Sequence, residues 1–327
     1  MAQIGIFGLG LIGQKRLLAL AQMGWGSESV FGYDPKNSLN EKQGKLLTRI
    51  DSIEAMNDLS LDYAIVATPH NKSVELTESL LDSGAKVLLE KPMGRNLIEA
   101  KRLHENSNRM NLSLGFNYRF MPAILGLKQL IEDGGLGDIH TVKLELGHGG
   151  SPGDEQSWKL DPIAAGGGVL LDPGVHLLDL VYFVFGIAGK DLDLKSAVGW
   201  KGFWKTGIEE SVNILCTYNK VLINISLSIV AWKTRFNIEV IGTEGYAEVS
   251  GRGRSDGPQT LITGKRWGWK HARNQFESEL CLVHSKSDES ILDETIDWFG
   301  PKKNIATSFD GLNANALRDR ISSIMVC

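Results

Sequence analysis

Residues 3–7, apolar from Ile4 onward, predict a short buried strand. A helical spacing of apolar positions over residues 14–23 follows, and Val30–Tyr33 predicts a second strand. The alternation then continues. Residues 63–68, 85–89 and 112–116 read as strands, while 73–82 and 97–108 read as helices. Near-continuous apolar strands separated by helices predict an α/β unit, a doubly wound parallel sheet of the Rossmann type.

Past about Phe120 the rhythm changes. Residues 121–132 read as a helix and 140–146 as a strand of alternating character. A loop rich in Gly, Pro and Asp leads into an apolar helix that carries Asp172 and His176. From about Leu194 the chain becomes strand-rich. Residues 212–217, 221–230, 236–242 and 246–250 are short strands joined by turns such as Tyr-Asn-Lys and Gly-Thr-Glu-Gly. This pattern predicts an α+β domain with a large, mostly antiparallel open sheet. Residues 252–258 read as an exposed loop, and 288–299 and 312–325 as closing helices. The expected domains are 1–120 and 121–327, with a final helix, 310–326, able to pack back on the first.

A length of 327 residues accommodates two such cores. A net charge of −4 argues against a broad nucleic-acid footprint. Cys216, Cys281 and Cys327 are odd in number and far apart, so neither a disulfide framework nor a CxxC metal site is expected. They fit a reducing cytoplasm. No basic segment precedes the first strand, so no signal peptide is expected. The longest apolar run, 175–188, is broken by His176 and Asp179 and is too short for a bilayer. The reading is a soluble cytoplasmic protein with no membrane partner.

Gly8-Leu-Gly-Leu-Ile-Gly13 follows the first strand and opens the first helix. Lone glycine loops are common, but this one sits between strand and helix, with an acid, Asp34, about 20 residues on. Gly8 would allow the tight turn, and Gly10 a close approach of backbone to a pyrophosphate. Gly13 would let helix and strand pack, while Leu11 and Ile12 carry helix amides toward phosphate. Asp34 would accept hydrogen bonds from the ribose hydroxyls and repel a 2′-phosphate. With Lys36 as the nearby cation and no Arg following, NAD is expected over NADP. Ligands lie outside the carboxyl ends of such strands, which puts Thr68, His70, Glu90, Lys91 and residues 117–119 on the cofactor side.

Asp172 and His176 stand four apart in an otherwise apolar segment. If Pro173 opens the helix, Asp172 is its N-cap. An ionisable pair in such a run is either satisfied within a core or faces a cleft and does chemistry. Residue types alone leave both open.

Taken together, several segments resemble the glucose–fructose oxidoreductase / inositol dehydrogenase / rhizopine catabolism (Gfo/Idh/MocA) family. They are the glycine fingerprint, Glu90-Lys91-Pro92, Asn117-Tyr-Arg-Phe120, the segment from Gly166 to Leu180, and Ile241-Gly-Thr-Glu-Gly245. The resemblance implies that Lys91 sits beside the nicotinamide and substrate hydroxyl, and that Asp172 and His176 line the same pocket from the other domain. It implies substrate contacts for Tyr118 and Arg119, although a structural ion pair would explain Arg119 almost as well. Trp158 stands where relatives often carry Trp-Arg, but Lys159 follows it here. His148, in Gly147-His-Gly-Gly150, is a candidate substrate contact or simply an exposed imidazole. Thr68-Pro-His-Asn-Lys-Ser73 departs from the family's Thr-Pro-Asn-x-x-His, which leaves His70 a weaker cofactor contact. The histidines show no metal-ligand spacing, and metal-free catalysis is expected.

The activity so implied is hydride transfer between nicotinamide and a hydroxyl or keto carbon of a sugar, cyclitol or sugar nucleotide. The loop around His148 resembles that of relatives in surface-polysaccharide sugar biosynthesis. Rival readings are a glycosidase that retains NAD and a non-catalytic NAD(H) sensor. A homodimer or homotetramer through the open sheet face is also implied.

Overall fold

The computed structural model describes residues 2–36, 39–106, 108–253, 255–265, 277–282 and 289–327. The chain begins with β1 (Ile4–Phe7), α1 (Leu11–Gln22), β2 (Val30–Tyr33), α2 (Glu41–Gly44), β3 (Thr48–Arg49) and α3 (Ile53–Asn57). Next come β4 (Tyr63–Val66), α4 (His70–Asp82), β5 (Lys86–Glu90), α5 (Leu97–Glu105), β6 (Leu112–Gly115) and α6 (Pro122–Glu132). After β7 (Ile139–Gly147), α7 (Pro162–Ala165) and α8 (Val175–Phe185) lie β8 (Asp193–Trp200), β9 (Ser211–Tyr218) and β10 (Val221–Ser228). β11 (Arg235–Gly242), β12 (Gly245–Ser250), β13 (Gln259–Lys265) and β14 (Glu277–Leu282) follow. The last elements are α9 (Glu289–Phe299), β15 (Ala306–Thr307), α10 (Ser308–Ile324) and β16 (Met325–Val326).

By packing, these elements form two units. The first holds the chain through Asn117 together with Ile163–Gly166 and Ser290–Asn315. The second holds Tyr118–Pro162, Gly167–Glu289 and Ala316–Cys327.

In the first unit the strands run in the order β3-β2-β1-β4-β5-β6, all parallel, with β15 added antiparallel beside β6. The order reverses between β1 and β4. That is the switch point where doubly wound sheets take their ligands. Ile4, Ile6, Ile65, Val66, Leu88 and Leu89 are fully buried, which is why the strands read as unbroken apolar runs. Residues far along the chain complete this core. Trp298 and Phe299 of α9 close an aromatic cluster with Trp25 and Tyr63, at centroid separations of 4.7–6.1 Å.

The second unit is built on a mixed sheet in the order β14-β13-β12-β11-β7-β10-β9-β8-β16. β7 pairs parallel with β10 and β16 parallel with β8; the other pairs are antiparallel. Val142, Leu144, Leu146, Ile223, Ile225, Leu227, Ile238 and Val240 are buried on one face. Lys143, Glu145, Asn224, Ser226, Asn237 and Glu239 alternate with them and line the other. Gly174, at the start of α8, lies so close to β10 that a Cβ there would meet Leu227 Cδ1 at 2.6 Å.

Three local expectations change. α4 starts at His70 rather than Ser73, with Pro69 at its N-cap. The helix carrying His176 starts at Val175, and its N-cap is Gly174, not Asp172. Gly174 N, an amide that an Asp172 cap would have taken, is already used. Asp172 N donates to Gly168 O and Gly174 N to Val169 O, so a separate turn precedes the helix. The loop after β12 is not exposed throughout, because the Arg252 side chain is buried. Among the described residues, no helix is long and apolar enough to cross a membrane.

Candidate active site

In the first unit the glycine loop follows β1 at the switch point. Gly8 has φ +91°, and a Cβ there would meet the Ala67 carbonyl oxygen at 2.5 Å. Only glycine makes this turn without strain. A Cβ on Gly13 would collide with the Gly8 carbonyl, so its absence lets α1 pack against the loop. Gly10 is the opposite case: nothing lies within 4 Å of where its Cβ would be. It forms the N-cap of α1 and supplies no capping side chain, while Leu11 beside it is 72% exposed. The first turn of α1 thus carries amide donors and the positive end of the helix dipole next to open space. These residues fit the pyrophosphate of a dinucleotide.

Asp34 lies just past β2 and reaches back to the loop. Its Oδ2 accepts from Leu9 N at 2.6 Å and its Oδ1 from Lys36 N at 2.7 Å. The carboxylate is therefore fixed at the strand end. A second cation stands here that sequence spacing did not reveal: Arg49 Nη2 lies 3.4 Å from Asp34 O. Arg49 belongs to β3, which pairs with β2 and brings it alongside.

Thr68 ends the β4 loop, and its buried Oγ1 makes no hydrogen bond among the described residues. An unsatisfied hydroxyl at the switch point suits a polar group of a bound cofactor. His70 Nδ1 is 2.8 Å from Ala165 O, which assigns that nitrogen the proton. Glu90, at the end of β5, is engaged by Arg16 of α1 through Nε at 2.8 Å. Arg16 is fully buried and also pairs with Glu294 of α9 at 2.5 Å. Burial opposes its charge, but Glu90 and Glu294 outweigh that and hold it above the ordinary arginine range. Sequence spacing gave no sign of this triad, since Arg16 is 74 residues from Glu90 and 278 from Glu294. Lys91 follows Glu90 directly and is half-buried.

The second unit brings together Tyr118, His148, Trp158, Asp172 and His176, and adds Lys159 and Arg252. The ring of Tyr118 stacks on His176 with centroids 3.9 Å apart and planes 7° from parallel. Phe236 of β11 lies T-shaped to the Tyr118 ring, with centroids 5.5 Å apart. His176 is buried. Asp172 receives Lys159 Nζ at 3.1 Å, which raises the Lys159 pKa against the opposing effect of burial. Lys159 Nζ also lies 5.9 Å from the Trp158 ring centroid. His148 is half-buried, and its Nδ1 accepts from Gly150 N at 3.2 Å, so a neutral ring carries its proton on Nε2. Burial lowers its pKa, as do Arg252 and Lys159, while Asp172 and Asp154 act in the opposite sense.

Arg119 is placed in an ion pair with Asp179 of α8, through Nε at 2.8 Å and Nη2 at 2.5 Å, both side chains being buried. The structural alternative weighed for Arg119 is thus the arrangement present. Arg252 was not anticipated. Its Nη1 donates to Tyr118 Oη at 2.7 Å and its Nε to Asp256 Oδ2 at 2.7 Å. A Gly-rich stretch after a strand gave no reason to expect a buried cation.

The oxidoreductase family model described as an NAD-binding Rossmann fold matches residues 2–118, and the GFO/IDH/MocA C-terminal domain model matches residues 124–248. The chain belongs to the Gfo/Idh/MocA family. Among curated relatives, trans-1,2-dihydrobenzene-1,2-diol dehydrogenase of Oryctolagus cuniculus is 29% identical over 60% of this chain and 58% of its own length. Glucose-6-phosphate 3-dehydrogenase of Bacillus subtilis (strain 168) is 29% identical over 57% and 54%. The chain thus spans less than two thirds of the length of these relatives. Among solved structures, levoglucosan dehydrogenase in complex with NADH and levoglucosan superimposes with a TM-score of 0.84. It covers 98% of this chain and 96% of its own at 18% identity. UDP-N-acetylglucosamine 3-dehydrogenase from Acidithiobacillus ferrooxidans gives 0.75, over 99% and 97% at 17% identity. These two structures establish the shared fold of this family member.

Proposed function

We propose that the chain is a nicotinamide-dependent oxidoreductase acting on a secondary hydroxyl, or its ketone, on the ring of a sugar, cyclitol or sugar nucleotide, with NAD preferred over NADP. The observation that carries this reading is the buried imidazole of His176, stacked by Tyr118 in the same unit that holds Asp172 and Lys159. Relatives named as glucose-6-phosphate 3-dehydrogenase and myo-inositol 2-dehydrogenase act on ring carbinols, which supports the substrate class.

A bound nicotinamide supplies the hydride acceptor in oxidation or the donor in reduction. The chain's residues supply the rest. Gly8, Gly10, Leu11, Ile12 and Gly13 bind pyrophosphate through backbone, and Asp34 binds ribose hydroxyls. Thr68 completes the cofactor contacts with its hydroxyl. His176 takes the hydroxyl proton in oxidation and returns it in reduction, a role suited to an imidazole near neutral pH. Lys91 donates to the substrate oxygen and stabilises negative charge developing on it. Asp172 and His148 bind neighbouring hydroxyls, and Trp158 offers an apolar face to a sugar ring. Arg119 serves by fixing α8 through Asp179 rather than by touching substrate.

We place the protein in the cytoplasm, consistent with its few, separated cysteines, and assign oligomer contacts to the polar open face of the second unit's sheet. The test is a panel of free sugars, cyclitols and sugar nucleotides with NAD and NADP, followed by absorbance of the reduced nicotinamide. Formation of NADH with a member of the panel supports the reading. Glycoside cleavage without net NADH replaces it with an NAD-retaining glycosidase. NAD binding with neither activity leaves a sensor.

A further inference from the structure

Arg252 lies in a compact loop whose shape is set by backbone. Gly251, at φ +72°, donates to Phe236 O at 3.1 Å, and Gly253 N donates to Gly257 O at 2.9 Å. A Cβ on Gly251 would collide with the Pro258 carbonyl, so the turn demands glycine there. The result is an arginine turned inward, its side chain 8% exposed beside an Asp256 side chain 2% exposed. Asp256 takes Nε at 2.7 Å, which fixes the guanidinium plane and leaves Nη1 to Tyr118 Oη. Asp256 thus partners a charge that would be costly to bury alone.

The consequence falls on Tyr118. Because Arg252 is a donor only, Tyr118 Oη must accept from it, and the phenolic proton is then directed away from the arginine. With Oη anchored and Phe236 against the ring, Tyr118 has little freedom to rotate. The Tyr118 ring is stacked on His176 at 3.9 Å. A chain of fixed contacts therefore runs from Asp256 through Arg252 and Tyr118 to the imidazole, all within the second unit.

We propose that Arg252 is a positioning residue: by hydrogen-bonding Tyr118 Oη it holds the Tyr118 ring flat against His176 and so fixes the imidazole for proton exchange with the substrate hydroxyl. The geometric part stands on these contacts, and the catalytic part rests on the oxidoreductase reading. Arg252 itself touches no reacting atom.

The experiment is NMR of the His176 ring C–H resonances in the full chain, assigned by their loss in His176→Gln. Stacking on Tyr118 displaces these resonances upfield through the ring current. Arg252→Met should return them most of the way to unstacked positions, and Arg252→Lys, which keeps a donor, should restore part of the displacement. Should Arg252→Met fail to fold, Tyr118→Phe removes only the acceptor oxygen and should loosen the stack in the same direction. His176 resonances that stay displaced in Arg252→Met, or in Tyr118→Phe, would overturn the proposal. With a substrate from the panel, Arg252→Met should lower kcat about 10-fold, within the usual range for a misplaced proton-transfer group, and leave KM for NAD unchanged. Unchanged kcat despite shifted resonances would overturn the catalytic part. Shifted resonances in a chain that oxidises no member of the panel would keep the positioning geometry and sink the oxidoreductase reading instead.

Discussion

Lys159 Nζ lies 3.1 Å from the carboxylate of Asp172, the residue that a sequence reading would have made a helix cap. The pairing gives Asp172 a role in holding the 158–160 turn. The carboxylate raises the Lys159 pKa above the ordinary lysine value, with burial acting against it. A raised pKa means that the stabilisation is fully present below about 10.5 and is lost as pH climbs through the higher folded value. Since the lysine side chain is 56% exposed, the pair contributes under about 1 kcal/mol. Asp172→Asn should return the Lys159 titration toward the ordinary range, as followed by carbon NMR of the lysine Cε. An unmoved midpoint would show that the pair does not persist in solution.

His148 tests the same cluster from the other side. Burial lowers its pKa first and Arg252 second, while Asp172 pulls it upward. Asp172→Asn should therefore lower the His148 midpoint further, and Arg252→Met should raise it toward about 6.5. The unfolded chain binds this proton more readily than the folded one, so the His148 contribution to stability weakens as pH falls below about 6.5. Shifts of the same sign in both variants would refute the electrostatic assignment.

The fold was legible where burial alone decides an element's pattern. Ile4–Phe7, Tyr63–Val66 and Leu112–Gly115 are buried on both sides and read as apolar runs, and the glycine loop was legible because each glycine answers a steric demand. Pairings across long stretches of chain were not. Arg16 with Glu294, Arg252 with Tyr118, and Arg49 beside Asp34 are contacts between charged residues that look like solvated surface in a linear reading. Periodicity reports which face is apolar, and it carries no information on which distant acid a buried arginine meets. The helix start at Val175 was misread for a local reason. Asp-Pro resembles a cap, but here the preceding amides close their own turn.

The Arg16 triad yields a stability prediction. Replacing Arg16 by Met would leave Glu90 and Glu294 without their shared cation, Glu294 being fully buried. Removing one partner of a buried ion pair typically costs about 3–5 kcal/mol. Arg16→Met should lose that much in urea unfolding followed by tryptophan fluorescence, with Trp25 and Trp298 as reporters in the same unit. Adding Glu294→Gln should recover part of the loss, because one uncompensated charge is removed. A loss below about 1 kcal/mol would mean that the pair breaks even against its desolvation.

On the proposed function, cofactor choice turns on Asp34 and Arg49. The Asp34 carboxylate would repel a 2′-phosphate, while the neighbouring Arg49 could receive one. Asp34→Ala alone should therefore raise the NADPH/NADH affinity ratio by about 10-fold or more, roughly one charge-assisted hydrogen bond. No added arginine is needed. NADH itself should bind less well, since Leu9 N loses its acceptor. Fluorescence titration with both nucleotides reads the ratio, and Arg49→Ala in the same background should cancel the gain. A ratio unchanged in Asp34→Ala would remove Asp34 from cofactor selection.

The proposed catalytic roles of Lys91 and His176 make the sharpest demand. Each is assigned to the same substrate oxygen, His176 for its proton and Lys91 for its developing charge. Lys91→Ala and His176→Ala should each lower turnover by about 100-fold or more. If they act on one transition state, the double variant should lose much less than the product of the two single losses, as for residues that work as a unit. NADH affinity should stay near the parent value in His176→Ala, since the cofactor contacts proposed above lie in the first unit. Oxidation should accelerate with rising pH and reduction with falling pH, because a neutral imidazole accepts the proton and its protonated form returns it. Full turnover in either single variant would remove that residue from the mechanism, and strictly multiplicative losses would show that the two act on separate steps.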